Sequence, residues 1–311
     1  MKFGVAVTTS VTPAVTELEQ KNYVELVSSA AETVGFDSIW VSDRTVYPAD
    51  LPDRYPEQFG PGKNDPNAQN VLEALTTLAY IGGATSSIKL GTSVLVLPFR
   101  NPILNTKMIS TLDVLSGGRL ILGVGSGWMQ EEFDAMGSDY NLRGQTTDEH
   151  LEFFLNSCSN QVFPGTSQDA NPINMRLFPQ ALQAPHPPIW IGGNSKASLL
   201  RTVRFANGWH AIRLTPKELR DRKIELTKLC HQTKRNISEI VVSLRATVSI
   251  GQSLYDESGE RLPLTGSLDL IQQDINNYQE SGLDYLVASM SGNSINDVIE
   301  SVNLFGSEFI D

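Results

Sequence analysis

The chain has 311 residues, 40% of them hydrophobic and 19% charged, a composition that is ordinary for a globular protein. Its formal net charge of −11 argues against non-specific binding to nucleic acid, because neutralising phosphates requires a basic surface. No signal peptide and no apolar run of roughly 20 residues is present, and two cysteines are too few for a disulfide framework, so a cytoplasmic protein without a membrane span is predicted.

Apolar runs and helical periodicities alternate along the chain. The predicted strands are residues 3–8, 35–41, 88–97, 120–122, 187–194, 208–212, 242–250 and 283–288. Each is followed by a segment with helical spacing, such as Leu104, Met108, Leu112 and Leu115. Eight strand–helix units favour a parallel sheet that closes on itself. The predicted fold class is therefore α/β, a single (β/α)8 TIM barrel over residues 1–311.

Three segments have no period of their own: 44–66, 161–187 and 251–266. Loops of this length in a compact domain usually have a function, often as a lid over a site. We expect all three insertions at the C-terminal, active-site face of the barrel, where they would shape the substrate pocket. For the first of them, a mobile insertion without a role is the alternative.

The C-terminal ends of barrel strands are where active sites lie. Here they carry glycines, small hydroxyls and aromatics, with neither metal-ligand spacing nor a nucleophile elbow. Such ends suit a flat, phosphorylated cofactor that performs the chemistry itself. The glycines of 123–127 are either a ligand cradle or an empty turn, and Trp128 either walls a pocket or lies in the core. Residues 192–195 open a helix and favour a phosphate, although Ser195 would also cap that helix without a ligand.

Two further strand ends carry titratable side chains. Asp43 follows the second strand directly and is either a site residue or an aspartate of a surface turn. His210 ends the sixth strand and is either functional or a satisfied core histidine.

Four motifs, in this order, resemble those of the bacterial-luciferase-like family of flavin- and deazaflavin-dependent oxidoreductases. They are 35–43, 90–95, 116–128 and 188–195, and the likeness covers residues 1–305. The pattern from Gly127-Trp128 to Arg143-Gly144 and the segment 207–210 are most similar to the branch that uses coenzyme F420. The resemblance implies hydride transfer between F420 and a small organic substrate. An FMN-dependent monooxygenase is the alternative, and a non-catalytic flavin-binding barrel is a remote one.

The resemblance also implies roles for single residues. Family members have a bulge in strand three with a non-proline cis peptide against one face of the cofactor ring, which falls on Ser93–Val94 here. The other implied cofactor contacts are Asp43 near the reactive edge of the ring, Ser126, Gly127 and Trp128 as a wall, and Gly192, Gly193, Asn194 and Ser195 around the phosphate. No metal is expected, and a homodimer is expected because the family commonly forms dimers.

One position departs from the family pattern. Arg44 stands where F420-dependent sugar and alcohol dehydrogenases of the family carry a catalytic histidine, and a guanidinium cannot act as a base near neutral pH. His210 or a group of the substrate would have to replace that base, and Arg44 would better bind an anionic substrate. The predicted catalytic residues are therefore Asp43, Arg44 and His210. A basic patch for the oligoglutamate tail of F420 would come from Lys196, Arg201, Arg204 and Arg213, and solvated bases on a helix surface are the alternative.

A non-redox barrel enzyme, such as a lyase or isomerase that binds a substrate phosphate at the same turn, is a further alternative. The sequence shows no evident acid–base pair for it.

Overall fold

Eight parallel strands close into a barrel at the centre of the molecule. The structure, a computed structural model, describes residues 1–7, 17–56, 71–159, 162–164, 174–292 and 294–310. Within these residues every strand pairs in parallel with the next along the chain, and the last pairs with the first. The strands are β1 Lys2–Ala6, β2 Ser38–Val41, β3 Lys89–Thr92, β4 Leu120–Gly125, β5 Ile189–Gly192, β6 Gly208–Ile212, β7 Val241–Ile250 and β8 Tyr285–Met290. The predicted (β/α)8 barrel is confirmed.

One long helix follows each barrel strand and covers its outer face. The helices are α1 Glu17–Thr33, α2 Ala74–Ala84, α3 Pro102–Leu115, α4 Arg143–Ser159, α5 Lys196–Phe205, α6 Pro216–Thr233, α7 Leu268–Glu280 and α8 Ile295–Phe309. Their apolar faces and the outward side chains of the strands form the main core. None of the described helices is both long and apolar enough to cross a membrane.

The barrel interior is filled by aromatic rings. Trp40, Trp190 and Tyr285 pack together with ring centroids 5.0 and 5.1 Å apart for the successive pairs. A glycine on the adjacent strand makes room for each tryptophan. A Cβ on Gly91 would lie 2.3 Å from the Trp40 ring, and one on Gly208 would lie 2.5 Å from the Trp190 ring. These rings fill the barrel interior below the C-terminal ends of the strands.

A β-bulge interrupts β3 where it faces β4. Gly91 pairs with Ile121, and pairing resumes between Leu95 and Val124, so three residues of one strand lie opposite two of the other. A bulge of one extra residue bends its strand and redirects the side chains that follow. The residues it redirects are 92–94, at the end of β3.

The three insertions do not all reach the active-site face. The first contains a short helix, Leu51–Arg54, and its residues 57–66 lie outside the described part of the chain. In the second, Gln183 donates to the carbonyl of Leu120 at the start of β4, so this part lies at the opposite end of the barrel. The third folds against α7 through an ion pair of 2.9 Å between Arg261 and Asp274. The expected position at the active-site face is therefore wrong for the described part of the second, whereas the third begins at the C-terminal end of β7 but contributes no residue to the cavity wall.

Candidate active site

A cavity of about 1100 Å³ opens at the C-terminal ends of the strands. Small-molecule sites usually enclose about 300–1,000 Å³, so this one has room for a cofactor and a substrate together. The structure brings together in its wall all twelve residues that the sequence assigns to catalysis or to the ring and phosphate of the cofactor. These are Asp43, Arg44, Ser93, Val94, Ser126, Gly127, Trp128, Gly192, Gly193, Asn194, Ser195 and His210.

The bulge of β3 forms one side of the cavity. The peptide bond between Ser93 and Val94 is cis, as the resemblance implies. The Ser93 hydroxyl lies 2.9 Å from Nε2 of His210, and the Ser93 carbonyl accepts a hydrogen bond of 3.0 Å from Nη1 of Arg245. Side chains from β6 and β7 therefore cross the barrel mouth to hold the bulge in place.

Asp43 stands at the cavity wall with its carboxylate turned into the protein. Arg100 binds both oxygens, at 2.7 and 2.8 Å, and the Val96 amide donates to Oδ2 at 2.9 Å. The Asp43 side chain has no exposed surface. Because both oxygens are engaged, this geometry favours Asp43 as the anchor of the segment after the bulge over a role in proton transfer. Arg100 has no local sequence signal, since its partner lies 57 residues earlier.

Arg44 is held by three neighbours from two segments. Its guanidinium is ion-paired with Glu132 and lies 5.2 and 5.1 Å from the ring centroids of Tyr47 and Trp128. The second oxygen of Glu132 accepts a hydrogen bond of 2.6 Å from the Thr45 amide. Burial raises the pKa of Glu132, an effect that Arg44 opposes. The charge of Arg44 is thus balanced inside the protein, which weakens the case for it as the anion-binding residue.

His210 is buried and neutral. Its ring stacks on Trp40 with centroids 5.0 Å apart, and its nitrogens contact the hydroxyls of Ser93 and Ser243, each at 2.9 Å. Burial first, and then the charge of Arg245, lower the pKa of His210 to about 3. A group with so little affinity for protons is a poor base at neutral pH. This geometry favours His210 as the residue that positions Ser93 over His210 as the replacement for the missing histidine, which stays a prediction.

Removing this imidazole should change how stability depends on pH. Unfolded histidine has a pKa near 6.5. Between pH 6.5 and 3 the unfolded chain therefore binds one more proton at His210 than the folded chain, and stability falls as pH falls. From pH 7 to pH 5 this contribution amounts to about 2 kcal/mol. We expect His210→Gln to reduce the loss of unfolding free energy between these pH values by about that amount, measured by urea denaturation.

The control for this measurement is His231→Gln, at an exposed position near the end of α6. A His210→Gln variant that lost as much stability as the parent between pH 7 and pH 5 would contradict a neutral His210.

The glycines after Leu122 serve close packing more than unusual backbone angles. β4 continues through Gly125 where the sequence predicted a break at Gly123, and only Gly127 of these glycines has a positive φ, of 76°. A Cβ on Gly123 would lie 1.8 Å from the Thr92 carbonyl oxygen, and one on Gly125 would lie 2.3 Å from the Val94 side chain. The absence of side chains lets β4 approach the bulge.

The turn after β5 presents free backbone donors to the cavity. Gly193 has a φ of 105°, and its amide donates to the carbonyl of His210. The Ser195 hydroxyl caps α5 by accepting a hydrogen bond from the Ser198 amide, which confirms one of the two interpretations of the sequence. In the described chain the amides of residues 194–197 donate to no protein acceptor. Such a helix start favours an anion.

Arginines dominate the charge of the cavity wall, and one of them, Arg245, has no role assigned from the sequence. Arg44, Arg143, Arg201, Arg213 and Arg245 line it, against two carboxylates, Asp43 and Glu132. The predicted tail patch is not a single free surface. Within it, Arg201 is paired with Asp148, and Arg204 is paired with Glu152 outside the cavity wall. The signal that was available for Arg245 is a charged residue in the alternating apolar run of β7.

Comparisons with known proteins agree with this architecture. A protein of Sinorhizobium fredii is 31% identical over 185 residues, which is 53% of this chain and 53% of that protein. An uncharacterized protein of Mycobacterium tuberculosis is 30% identical over 240 residues, or 76% of this chain and 82% of its own length. The chain thus spans about half of the first relative and most of the second.

Two solved structures share the fold at low sequence identity. The coenzyme F420-dependent tetrahydromethanopterin reductase from Methanopyrus kandleri has a TM-score of 0.74 at 17% identity, covering 99% of this chain and 98% of that one. The oxygenating constituent of the 3,6-diketocamphane monooxygenase of Pseudomonas putida, in complex with FMN, has a TM-score of 0.74 at 15% identity, covering 99% and 97%. The profile of the luciferase-like monooxygenase family matches residues 1–284. With that match and the barrel and strand-end motifs described above, the chain belongs to the luciferase-like monooxygenase family.

Proposed function

We propose that the protein is an oxidoreductase that holds a phosphorylated tricyclic cofactor in the cavity, with coenzyme F420 as the first candidate. The observation that carries this proposal is the convergence of all four strand-end motifs on one cavity. Among proteins that share the fold, one is described as F420-dependent and another is in complex with FMN.

The residues present fit such a group in size and in donors. The cavity volume of about 1100 Å³ accommodates a flat ring system with its side chain. The ring would lie between the bulge at Ser93–Val94 and the wall of residues 126–128. Its phosphate would lie on the free amides of 194–197 at the start of α5. When bound, such a cofactor supplies hydride transfer, and the protein supplies orientation and electrostatics.

The arginines near the phosphate turn favour F420 over FMN. Arg143 and Arg201 lie on α4 and α5 at the cavity wall. F420 carries an oligoglutamate tail beyond its phosphate, whereas FMN ends at the phosphate. A reduced FMN that activates oxygen is the second candidate function, and the FMN-bound relative by fold favours it.

The polar groups in the cavity favour reduction of the substrate over oxidation of an alcohol. The two carboxylates in the described wall are both ion-paired, and His210 is neutral with a pKa of about 3. No free base is therefore available there to take a hydroxyl proton. Guanidinium and hydroxyl donors, such as Arg245 and Ser93, can instead stabilise negative charge that develops on a substrate oxygen.

Cofactor titration tests this proposal. We expect F420 to bind in the micromolar range or tighter, and FMN to bind about 100-fold more tightly than riboflavin, because only FMN brings a phosphate to the free amides. Fluorescence of each cofactor reports the affinity. Failure of F420 and FMN to bind at high micromolar concentration would overturn the proposal. Binding of FMN without F420, with oxygen consumption that depends on reduced flavin, would replace F420 with the monooxygenase alternative.

A matched pair of glycine variants distinguishes an effect on phosphate binding at the turn from the strain of replacing any glycine of positive φ. Gly193 and Gly251 both have positive φ, of 105° and 82°, and only Gly193 lines the cavity. Gly193→Ala should weaken FMN about tenfold and leave riboflavin unchanged, while Gly251→Ala should change neither affinity.

A further inference from the structure

Arg245 crosses the mouth of the barrel from β7. Its Nη1 donates to the Ser42 hydroxyl at 2.8 Å and to the Ser93 carbonyl at 3.0 Å, and its Nε donates to the Ser289 hydroxyl at 3.0 Å. The guanidinium thus touches residues at the ends of β2, β3 and β8. All four of these residues line the cavity.

This guanidinium has no carboxylate partner in the described part of the chain. The other buried arginines of the region do have one, Asp43 for Arg100 and Glu132 for Arg44. Three hydroxyls and a carbonyl satisfy some of its donors but leave its charge unbalanced. Burial of a charge without a partner is costly, and it lowers the pKa of Arg245 to about 10, so the side chain remains charged at neutral pH. Within the described contacts, the terminal Nη2 donates to no protein group.

A second unpaired arginine stands beside it. Arg213 follows the last residue of β6, and its amide donates to the carbonyl of Arg245 at 3.0 Å. Its φ of 52° is uncommon for a residue other than glycine, and such backbone angles gather at ligand sites. Its exposed side chain lines the cavity and has no ion pair among the described residues. Two adjacent strand ends therefore each present an unbalanced positive charge.

We propose that Arg245 and Arg213 form a subsite for an oxyanion, a carboxylate or sulfonate, that an organic substrate carries. The proposal rests on the proposed function only in treating the bound molecule as the substrate of a redox enzyme. The sequence suggested Arg44 as the residue that binds an anionic substrate, but Glu132 balances its charge. The proposal assigns this role to Arg245 and Arg213 instead, because neither has a carboxylate partner among the described residues.

The subsite is separate from the phosphate turn. The turn of residues 192–195 follows β5, whereas Arg245 leaves β7 and reaches toward β2, β3 and β8. The Arg245 guanidinium thus reaches away from β5 and the start of α5. The Ser42 and Ser289 hydroxyls, already bonded to Arg245, fix the direction of the guanidinium before the ligand arrives.

A pair of isosteric probes tests this subsite by calorimetry. Benzoate and benzamide have nearly the same shape and differ in charge, and benzenesulfonate adds the second oxyanion class. We expect benzoate or benzenesulfonate to bind at least about tenfold more tightly than benzamide. Arg245→Gln should weaken the anion about 10- to 100-fold and leave benzamide unchanged, and Arg245→Lys should restore part of the affinity.

Arg213→Gln keeps the test decisive if Arg245→Gln fails to fold, because Arg213 is exposed and should tolerate replacement. It should weaken the anion several-fold. The matched control is Arg222→Gln, an exposed arginine of α6 paired with Glu225, which should change nothing.

The same titrations with and without saturating FMN separate this proposal from the cofactor proposal. Arginine-dependent anion binding that FMN leaves intact supports the subsite, whether or not F420 binds. Equal affinity for benzoate and benzamide would overturn it. So would competition between benzoate and FMN together with an equal loss of FMN affinity in Arg245→Gln, because Arg245 would then belong to the cofactor site.

Discussion

Replacing Arg100 by methionine is expected to lower the free energy of unfolding by about 3–5 kcal/mol. Arg100 makes two hydrogen bonds to Asp43, whose side chain has no exposed surface, and the variant would leave that carboxylate buried without a positive partner. Truncating one member of a buried ion pair costs more than removing both, because the remaining charge is uncompensated. Urea denaturation of the variant and its parent measures the difference.

A double-mutant cycle identifies the origin of this loss. Asp43→Asn combined with Arg100→Met should be less destabilised than the two single losses added together. The control is Arg222→Met, which removes an exposed ion pair to Glu225 and should change stability by no more than about 0.5 kcal/mol. A loss below about 1 kcal/mol in Arg100→Met would show that the pair with Asp43 is not the anchor described here.

Gly123→Ala should have a still larger effect. Its Cβ would lie 1.8 Å from the Thr92 carbonyl oxygen, an atom of the neighbouring backbone that no rotamer change can move away. The Thr92 hydroxyl also donates to the Gly123 carbonyl at 2.7 Å, so β4 could separate from β3 only by breaking that bond. We expect a loss of more than about 4 kcal/mol or failure to fold.

Gly83→Ala is the matched control, because Gly83 lies in α2 and a Cβ there would meet nothing within 4 Å. It should stabilise the protein by about 0.5–1 kcal/mol through helix propensity. Thermal denaturation followed by circular dichroism compares the two. A folded Gly123→Ala with an unchanged midpoint would mean that the strands at the bulge can separate at little cost.

Local patterns in the sequence are enough to predict the barrel fold and the residues of the candidate site. Alternation of apolar runs with helical periodicity predicts the barrel, and the rule that barrel sites form at strand ends identifies twelve residues that all lie in the cavity wall. Family resemblance added the cis peptide at Ser93–Val94, which no local pattern could have indicated.

What the sequence did not show are contacts between distant residues. Asp43 and Arg100 are separated by 57 positions, and Arg44 and Glu132 by 88. The sequence therefore could not indicate that Asp43 and Arg44 are each neutralised by an ion pair. The glycines of 123–127 are interpreted from the sequence as a ligand cradle or an empty turn, but Gly123 and Gly125 leave room for Thr92 and Val94, residues about 30 positions away. The insertion at 251–266 was assigned to the pocket by its lack of periodicity, whereas Arg261 binds it to α7.

The arginine-lined cavity has a consequence for how ligands reach it. The chain as a whole carries a net charge of −11, while five arginines face two carboxylates in the cavity wall. Charges farther away than a screening length of about 8 Å in physiological salt are largely screened, so an anion at the cavity mouth responds mainly to the arginines of the wall. The acidic chain can therefore still attract an anionic ligand to this opening.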